Sequence, residues 1–489
     1  MKIKSISLGG FKGIREKATL PIAPITLFFG ANSTGKSTVL QGFLYLYEIL
    51  INRNCDPEYS SLVGEKIYLG GFNNLVHGKD NKNHITIGAT LDLSEDIGTL
   101  EGYLSEAEEW LVENYIKELP TIEPKTYSFE FEITWDSFEK KPFIRKFTST
   151  LDKEFTCVIE KKAGSRGAFI SEFRTSNQAQ LLHQGIEELN ILMTEDWQAV
   201  PLSGLDHALP NINNRLNLSS APWKWSDIFQ DHPLSMTTYC ESLISQSCLA
   251  PLKLISTRLT ELLYIGPLRI IPDRNFIANI ETSNDRWYDG AAAWELFSKA
   301  DSRLKEDINR WYAAEYGLNT PYEFIAINEG DATLKKHSVL VKNKRSDIYH
   351  YLNELGVGVS QVFPFITASL IEQPCIISCE QPELHIHPRW QLVLADLMLE
   401  QINSNNEKNF LIETHSEHLM LRLLKRRRQT VESNLDDSRF NCKKSDIQII
   451  FCEQENGRTK LIPITTTDEG EFDATWPNGF FTERRGELF

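Results

Sequence analysis

The chain has 489 residues, 41% of them hydrophobic and 24% charged. This is an ordinary globular composition, long enough for two or three domains or for one large domain with insertions. Its 51 basic and 67 acidic residues leave a formal charge of −16, which excludes recruitment of nucleic acid by bulk charge; a DNA contact needs a local basic patch or a basic partner.

In chain order, residues 2–8 read as a strand with Ile3, Ile6 and Leu8 apolar, and Gly9, Gly10 and Gly13 mark turns. This opening has no signal-peptide core. "ATLPIAPITLFFG" reads as another strand running into Gly30, and from Ser37 to Leu50 the pattern turns helical. His84–Leu93 and Tyr127–Trp135 alternate with period two and predict antiparallel strands, with a helix at "SEAEEWLVENYIKEL" between them. "IRKFTSTL" and "EFTCVIEKK" continue the strand pattern. From about Arg174 to Thr260 the periodicity loosens, and the segment reads as a largely helical insertion.

Order returns at "LLYIGPLRIIPDR", followed by a helix over Trp294–Tyr312 and a strand at "SVLVKNK". The Gly-rich "ELGVGVSQ" then leads into a helix, the "CIISC" strand, a helix, the "FLIET" strand and a helix from Ser416. Strands at "IQIIFCEQ" and "TKLIPIT" close the pattern. The alternation after residue 355 predicts a parallel α/β core, and the N-terminal third is mainly antiparallel. The expected organisation is 1–95 and 96–173 as the P-loop part and the β-rich part of one core, 174–260 as the insertion, and 261–489 as the rest of the core. Eight scattered cysteines without a CxxC pair read as a reducing cytosol. No uncharged run approaches the ~20 apolar residues of a membrane helix, so a cytoplasmic chain with no membrane partner is expected. "KRRR" at Lys425–Arg428, the densest basic run, reads as a solvated helix face.

Four motifs carry chemistry. "GANSTGKST" fits G-x-x-x-x-G-K-[ST] at Gly30, Gly35, Lys36 and Ser37, between a strand and a helix. Such a loop turns its N–H groups on phosphates, with Asn32, Ser33, Thr34 and Thr38 completing it; Lys36 reaches the β and γ phosphates of ATP, and the Ser37 hydroxyl ligates Mg²⁺. "CIISCE" has the form of a Walker B strand ending in Glu380, a second candidate for Mg²⁺. "FLIETHSEHL" sets His415 after an apolar strand, placed to hydrogen-bond a γ-phosphate or the attacking water. The pairs His415/His418 and His385/His387 lack a third and fourth zinc ligand in sequence. In "LNELGVGVSQ", Gly356 and Gly358 precede Ser360 at a helix start, an arrangement that can receive an anion.

Together these motifs resemble the ABC-type ATPases of the SMC and recombination-repair branch. More closely they resemble the bacterial AAA-family ATPases of anti-phage defence, including the ATPase subunit of Septu-type systems. "GFKGI…GANSTGKST" is similar to that group's opening strand and P-loop, and "LGVGVSQ" to its divergent signature. "EQPELHIHP" is similar to its Walker B and D-loop, "ETHSEHL" to its H-loop, "YLGGFNNLVHGKD" to its Q-loop segment, and "WPNGFF" to one subgroup's tail. The resemblance implies an α/β, ABC-ATPase-like nucleotide-binding domain with an antiparallel β subdomain and a largely helical insertion. It implies a head-to-tail homodimer, or a higher oligomer, in which Gly358 and Ser360 of one subunit close over the ATP held by Lys36 of the other. It also implies a nuclease partner of the HNH type.

One residue departs from the expected chemistry. Many such ATPases have a second acid after the metal-holding one; here Gln381 follows Glu380. A general base contributes about 10²–10⁴ in rate, and a neutral amide cannot take the proton from water. The sequence therefore predicts a slowly hydrolysing, ATP-bound scaffold, unless His415 or Glu383 takes the proton or Gln381 orients water as some GTPases do. The alternatives are an actively hydrolysing, repair-like ATPase that clamps or processes DNA, and an ATPase with its own nuclease. Only about 70 residues follow the H-loop, which is short for an appended nuclease domain.

Overall fold

The computed structural model describes residues 1–94, 100–115, 124–165, 167–175, 200–202, 205–218, 233–272, 284–329, 336–373, 375–404 and 407–473. Residues 176–199, 203–204 and 219–232 of the expected insertion and the "WPNGFF" tail lie outside them. The chain divides into two compact units. The first comprises Met1–Leu20, Tyr45–Glu58 and Leu69–Thr260; the second comprises Pro21–Leu44, Tyr59–Tyr68 and Glu261–Phe489.

The first unit is built on an eight-stranded sheet in the order Val200–Leu202, Ala168–Thr175, Phe155–Glu160, Lys141–Leu151, Thr126–Asp136, Ile85–Asp92, Lys2–Gly9, Ala18–Pro21. Its long hairpin strands alternate buried and half-buried positions, as a sheet with one covered face requires. Phe131 lies between Phe129 and Phe147, with ring centroids 5.2 and 5.3 Å away. Helices Pro233–Cys248 and Ala250–Thr260 belong to this unit, and Tyr127 Oη donates to the Cys248 carbonyl at 2.8 Å. The segment expected to be helical thus contributes both these helices and the edge strand Val200–Leu202. From Leu69 on, "YLGGFNNLVHGKD" also falls in this unit; Gly70 and Gly71 adopt φ of 76° and 67°, and the Phe72 N–H is held by Asp56 Oδ1 at 2.7 Å.

The second unit carries a six-stranded sheet ordered Leu262–Ile265, Ile376–Glu380, Asn409–Glu413, Ile25–Phe29, Ile447–Glu455, Arg458–Ile464. The first five are mutually parallel and the last is antiparallel. The stretches "ITLFF" and "NFLIE" are buried at every position, the pattern of parallel strands covered on both faces. A separate three-stranded sheet, Tyr322–Glu329, Lys336–Asn343 and Ile348–Tyr351, accompanies it. The core centres on Trp294, stacked on Phe363 at 3.7 Å, and Tyr312 Oη donates to the Val359 carbonyl at 2.7 Å.

Three local expectations change. "ATLPIAPITLFFG" is two strands, because Pro21 and Pro24 lack the N–H that a continuous ladder needs. The helix expected over Trp294–Tyr312 is two, Ala291–Lys299 and Ser302–Ala313; Asp301 caps the second by accepting the Leu304 N–H at 3.0 Å. The "KRRR" run is only in part a solvated face: Lys425 and Arg428 are exposed, but the two residues between them are not. Arg426 pairs with the buried Asp396 at 2.8 Å, and Arg427, 1% exposed, hydrogen-bonds the 466–468 segment. Among the described residues no helix is long and apolar enough to cross a membrane.

Candidate functional site

Parallel register brings the chemistry together. In an open α/β sheet, ligands bind beyond the carboxyl ends of the strands. Here Glu380 pairs with Glu413, and Glu413 pairs with Phe28, just ahead of the loop that starts at Gly30. The metal-type acid, the H-loop segment and the P-loop therefore emerge side by side at one edge.

The loop has a backbone that side chains resist. Gly30 and Gly35 have φ of 150° and 99°, and Ser33 sits at 64°. A Cβ on Gly30 would come within 2.3 Å of the Cys452 carbonyl, and one on Gly35 within 2.6 Å of Thr459 Oγ1. Both glycines are thus demanded by the close approach of the neighbouring strands. Ala31, Asn32 and Ser33 are exposed, Thr34 turns inward to donate to the Ala31 carbonyl at 2.9 Å, and Thr38 N–H donates to the Gly35 carbonyl at 3.1 Å.

Lys36, 4% exposed, opens the helix Lys36–Leu50 and folds back over the loop. Its Nζ donates to the carbonyls of Gly30 and Ala31 at 3.2 and 2.8 Å and lies 3.9 Å from Glu413 Oε1. Burial lowers its pKa, and Glu413 opposes that shift. Ser37 Oγ donates to Glu413 Oε2 at 2.6 Å. Glu413 is the site residue that the motif reading missed. Its signal was present, since "FLIE" repeats the apolar-run-then-acid form of "CIISCE".

Glu380 accepts from Tyr264 Oη at 2.6 Å. Burial raises its carboxyl to about 7, and Glu413 adds to the rise while the Tyr264 hydrogen bond opposes it. Gln381 follows in the left-handed region, φ 46°, with its N–H donating to the Glu413 carbonyl at 2.8 Å. The His415 N–H donates to Glu383 Oε1 at 2.7 Å. Glu383 Oε2 and His415 Nε2 are both buried without a hydrogen-bond partner. Burial raises the Glu383 pKa; burial and, after it, Lys36 lower that of His415. Ser416 caps the helix Glu417–Val431 by accepting the Leu419 N–H at 3.0 Å.

A second residue had no sequence signal. Arg269, 5% exposed, donates to the carbonyls of Gly266, Gln361, Glu380 and Gln381 at 3.1, 3.2, 2.7 and 3.2 Å, and Gln361 Nε2 donates back to the Arg269 carbonyl at 2.6 Å. It pins the turn after Glu380 to the helix Val357–Leu370. In that helix Gly358 packs against the 381–387 turn, where a Cβ would meet the His385 carbonyl at 2.7 Å. Ser360 is fully buried and its Oγ has no hydrogen-bond partner, whereas Gly356 and Val357 form the exposed first turn.

The donor set fits ATP with Mg²⁺. A P-loop lysine, a hydroxyl and two carboxylates stand at one strand edge, and Mg²⁺ is held by one or two carboxylates together with phosphates and waters. Among the described residues no three His, Cys, Asp or Glu side chains form a preformed metal cage, and Mg²⁺ with ATP needs none.

These features define a P-loop nucleotide-binding ATPase with an ABC-ATPase-like α/β fold. The AAA ATPase domain family matches residues 1–420, and the chain belongs to that family. No curated protein matches the chain. Among solved structures, an SMC head bound to the C-winged helix domain of ScpA shares 12% identity over 95% of this chain and 98% of its own, with a TM-score of 0.40. The SMC head domain from Thermotoga maritima shares 10% over 95% and 100%, with a TM-score of 0.36. An SMC head with an extended coiled coil, bound to the C-terminal domain of ScpA and derived from Pyrococcus furiosus, shares 10% over 95% and 96%, with a TM-score of 0.38.

Proposed function

We propose that this ATPase is an ATP-gated scaffold of an anti-phage defence complex, controlling a partner nuclease of the HNH type and working in the cytoplasm. ATP with Mg²⁺ glues two copies head to tail, and slow turnover or loss of nucleotide releases the effector. The four-segment organisation at 95, 173 and 260 belongs to the same reading, with the insertion and any DNA contact reserved for the partner complex.

The observation that carries this reading is Gln381. It stands directly after Glu380, with its backbone tied to Glu413 and Arg269, at the position where the sequence motif sets a general base. Lys36, Ser37 and the P-loop hold ATP; Ser37 and Glu380 hold Mg²⁺, which neutralises phosphate charge when bound; His415 faces the γ-phosphate. The first turn at Gly356–Gly358 is the surface that meets the partner's nucleotide, and Ser360 supports it from within the helix. Binding and closure need no base and proceed with the amide in place.

A second reading, an actively hydrolysing ATPase that clamps DNA, is favoured by one feature: Glu383 Oε2 and His415 Nε2 are buried and unpartnered, so either can serve as a proton acceptor. Native mass measurement separates the possibilities. We expect ATP with Mg²⁺ to produce a long-lived doubling of mass, lost in Lys36→Ala. No ATP-dependent change in wild type contradicts the scaffold, and a doubling that appears only with DNA and decays within seconds supports the second reading.

A further inference from the structure

We propose that Glu413 is a second acid of the metal site, and that without metal it competes with the nucleotide for Lys36 and Ser37. This rests on the reading of the P-loop as an ATP site, and adds to it a residue outside the P-loop and Walker B motifs.

The argument starts from an electrostatic conflict. Register sets Glu380 and Glu413 directly opposite each other on adjacent parallel strands, and like charges so placed destabilise a sheet. Glu413 is nevertheless 5% exposed, where a carboxylate is costly without a cation or full hydrogen bonding. Its position is fixed from the backbone: its carbonyl accepts the Gln381 N–H at 2.8 Å, and the next residue's N–H reaches the Phe28 carbonyl at 3.1 Å. Its two oxygens are divided between Ser37 Oγ at 2.6 Å and Lys36 Nζ at 3.9 Å. Those are the two side chains that an ATP–Mg²⁺ complex must engage. A carboxylate there occupies the place of a phosphate oxygen on Lys36 and holds the hydroxyl proton that Ser37 must turn away when it ligates metal. When Mg²⁺ arrives with ATP, the same carboxylate is positioned to take the metal or one of its waters. His415 Nε2, two residues beyond Glu413 and buried without a hydrogen-bond partner, is an independent sign that this edge is completed by a ligand.

The consequence is a pair of effects with opposite signs. Fluorescent-ATP binding by the full chain, with Mg²⁺ and with EDTA, compares wild type, Glu413→Gln and Glu413→Asp. With Mg²⁺, Glu413→Gln should weaken the metal's contribution by about 10–100-fold, the usual cost of losing a metal-orienting group. In EDTA the same variant should bind ATP at least about fivefold tighter, the attraction of unit charges roughly 4 Å apart even in bulk water. Glu413→Asp keeps the charge and should lie closer to wild type in its Mg²⁺ dependence. Mn²⁺ in place of Mg²⁺, read by electron paramagnetic resonance, should show weaker ATP-dependent metal binding in Glu413→Gln. Equal weakening of Glu413→Gln in Mg²⁺ and in EDTA, or unchanged Mn²⁺ binding, overturns this role and leaves the ATP site standing. Absence of ATP binding by wild type under both conditions overturns the ATP site itself.

Discussion

The two units use polar residues in opposite ways. In the antiparallel sheet of the first unit, polar side chains sit at every second position: in Thr126–Asp136, Tyr127, Phe129, Phe131 and Ile133 are buried while Ser128, Glu130 and Glu132 are half-buried. In the second unit, Asn409–Glu413 is buried along its length and Ile376–Glu380 up to the half-buried Glu380, and their acids wait at the carboxyl ends. One sheet sets polar residues along a half-buried face; in the other, these two strands carry their acids only at the edge where the P-loop begins. A parallel strand covered on both faces has nowhere else to keep a charge, which is why the chemistry collects there.

The sharpest test of this contrast is a comparison of adjacent positions. In the antiparallel sheet, Phe131→Ala should cost about 3–5 kcal/mol, and Ser128→Ala on the other face should stay within about 0.5 kcal/mol. In the parallel sheet both neighbours, Ile376→Ala and Ile377→Ala, should each cost about 2–5 kcal/mol. Urea denaturation of each variant measures this; a cheap Ile376→Ala beside a costly Ile377→Ala would mean that one face of the parallel sheet is wet. A smaller effect separates the units by pH. In the first unit, burial, reinforced by Arg53 whose guanidinium lies 3.3 Å from Nε2, lowers the His207 pKa from 6.5 to about 4. The neutral ring is the native form, so its contribution is complete above pH 6.5 and is lost as pH falls from 6.5 through about 4. Thermal midpoints across that window should fall less steeply in His207→Gln than in wild type.

The same contrast explains what could be read from the sequence. Period-two strands such as Thr126–Asp136 announce themselves, as do the P-loop and the acid at Glu380, because each is a local pattern. Glu413 was half-visible, an acid ending an apolar strand, but its meeting with Ser37 depends on a pairing between residues 376 positions apart. Arg269 gave no signal, since its partners come from three separate places in the chain and are mostly carbonyls, which sequence does not mark. The buried Arg427 misled for the same reason: a basic run looks solvated until the segment around Thr466 folds onto it. Ser360 shows the limit of motif spacing, for a residue three past the start of a helix lies on whichever face the helix turns inward.

The account turns on Gln381, and steady-state phosphate release tests it most directly. Wild type should hydrolyse ATP slowly, and Gln381→Glu should accelerate release by about 10²–10⁴-fold while ATP affinity stays near the wild-type value. A brisk wild-type rate that Gln381→Glu leaves unchanged would contradict the scaffold reading and place the proton acceptor elsewhere in the site.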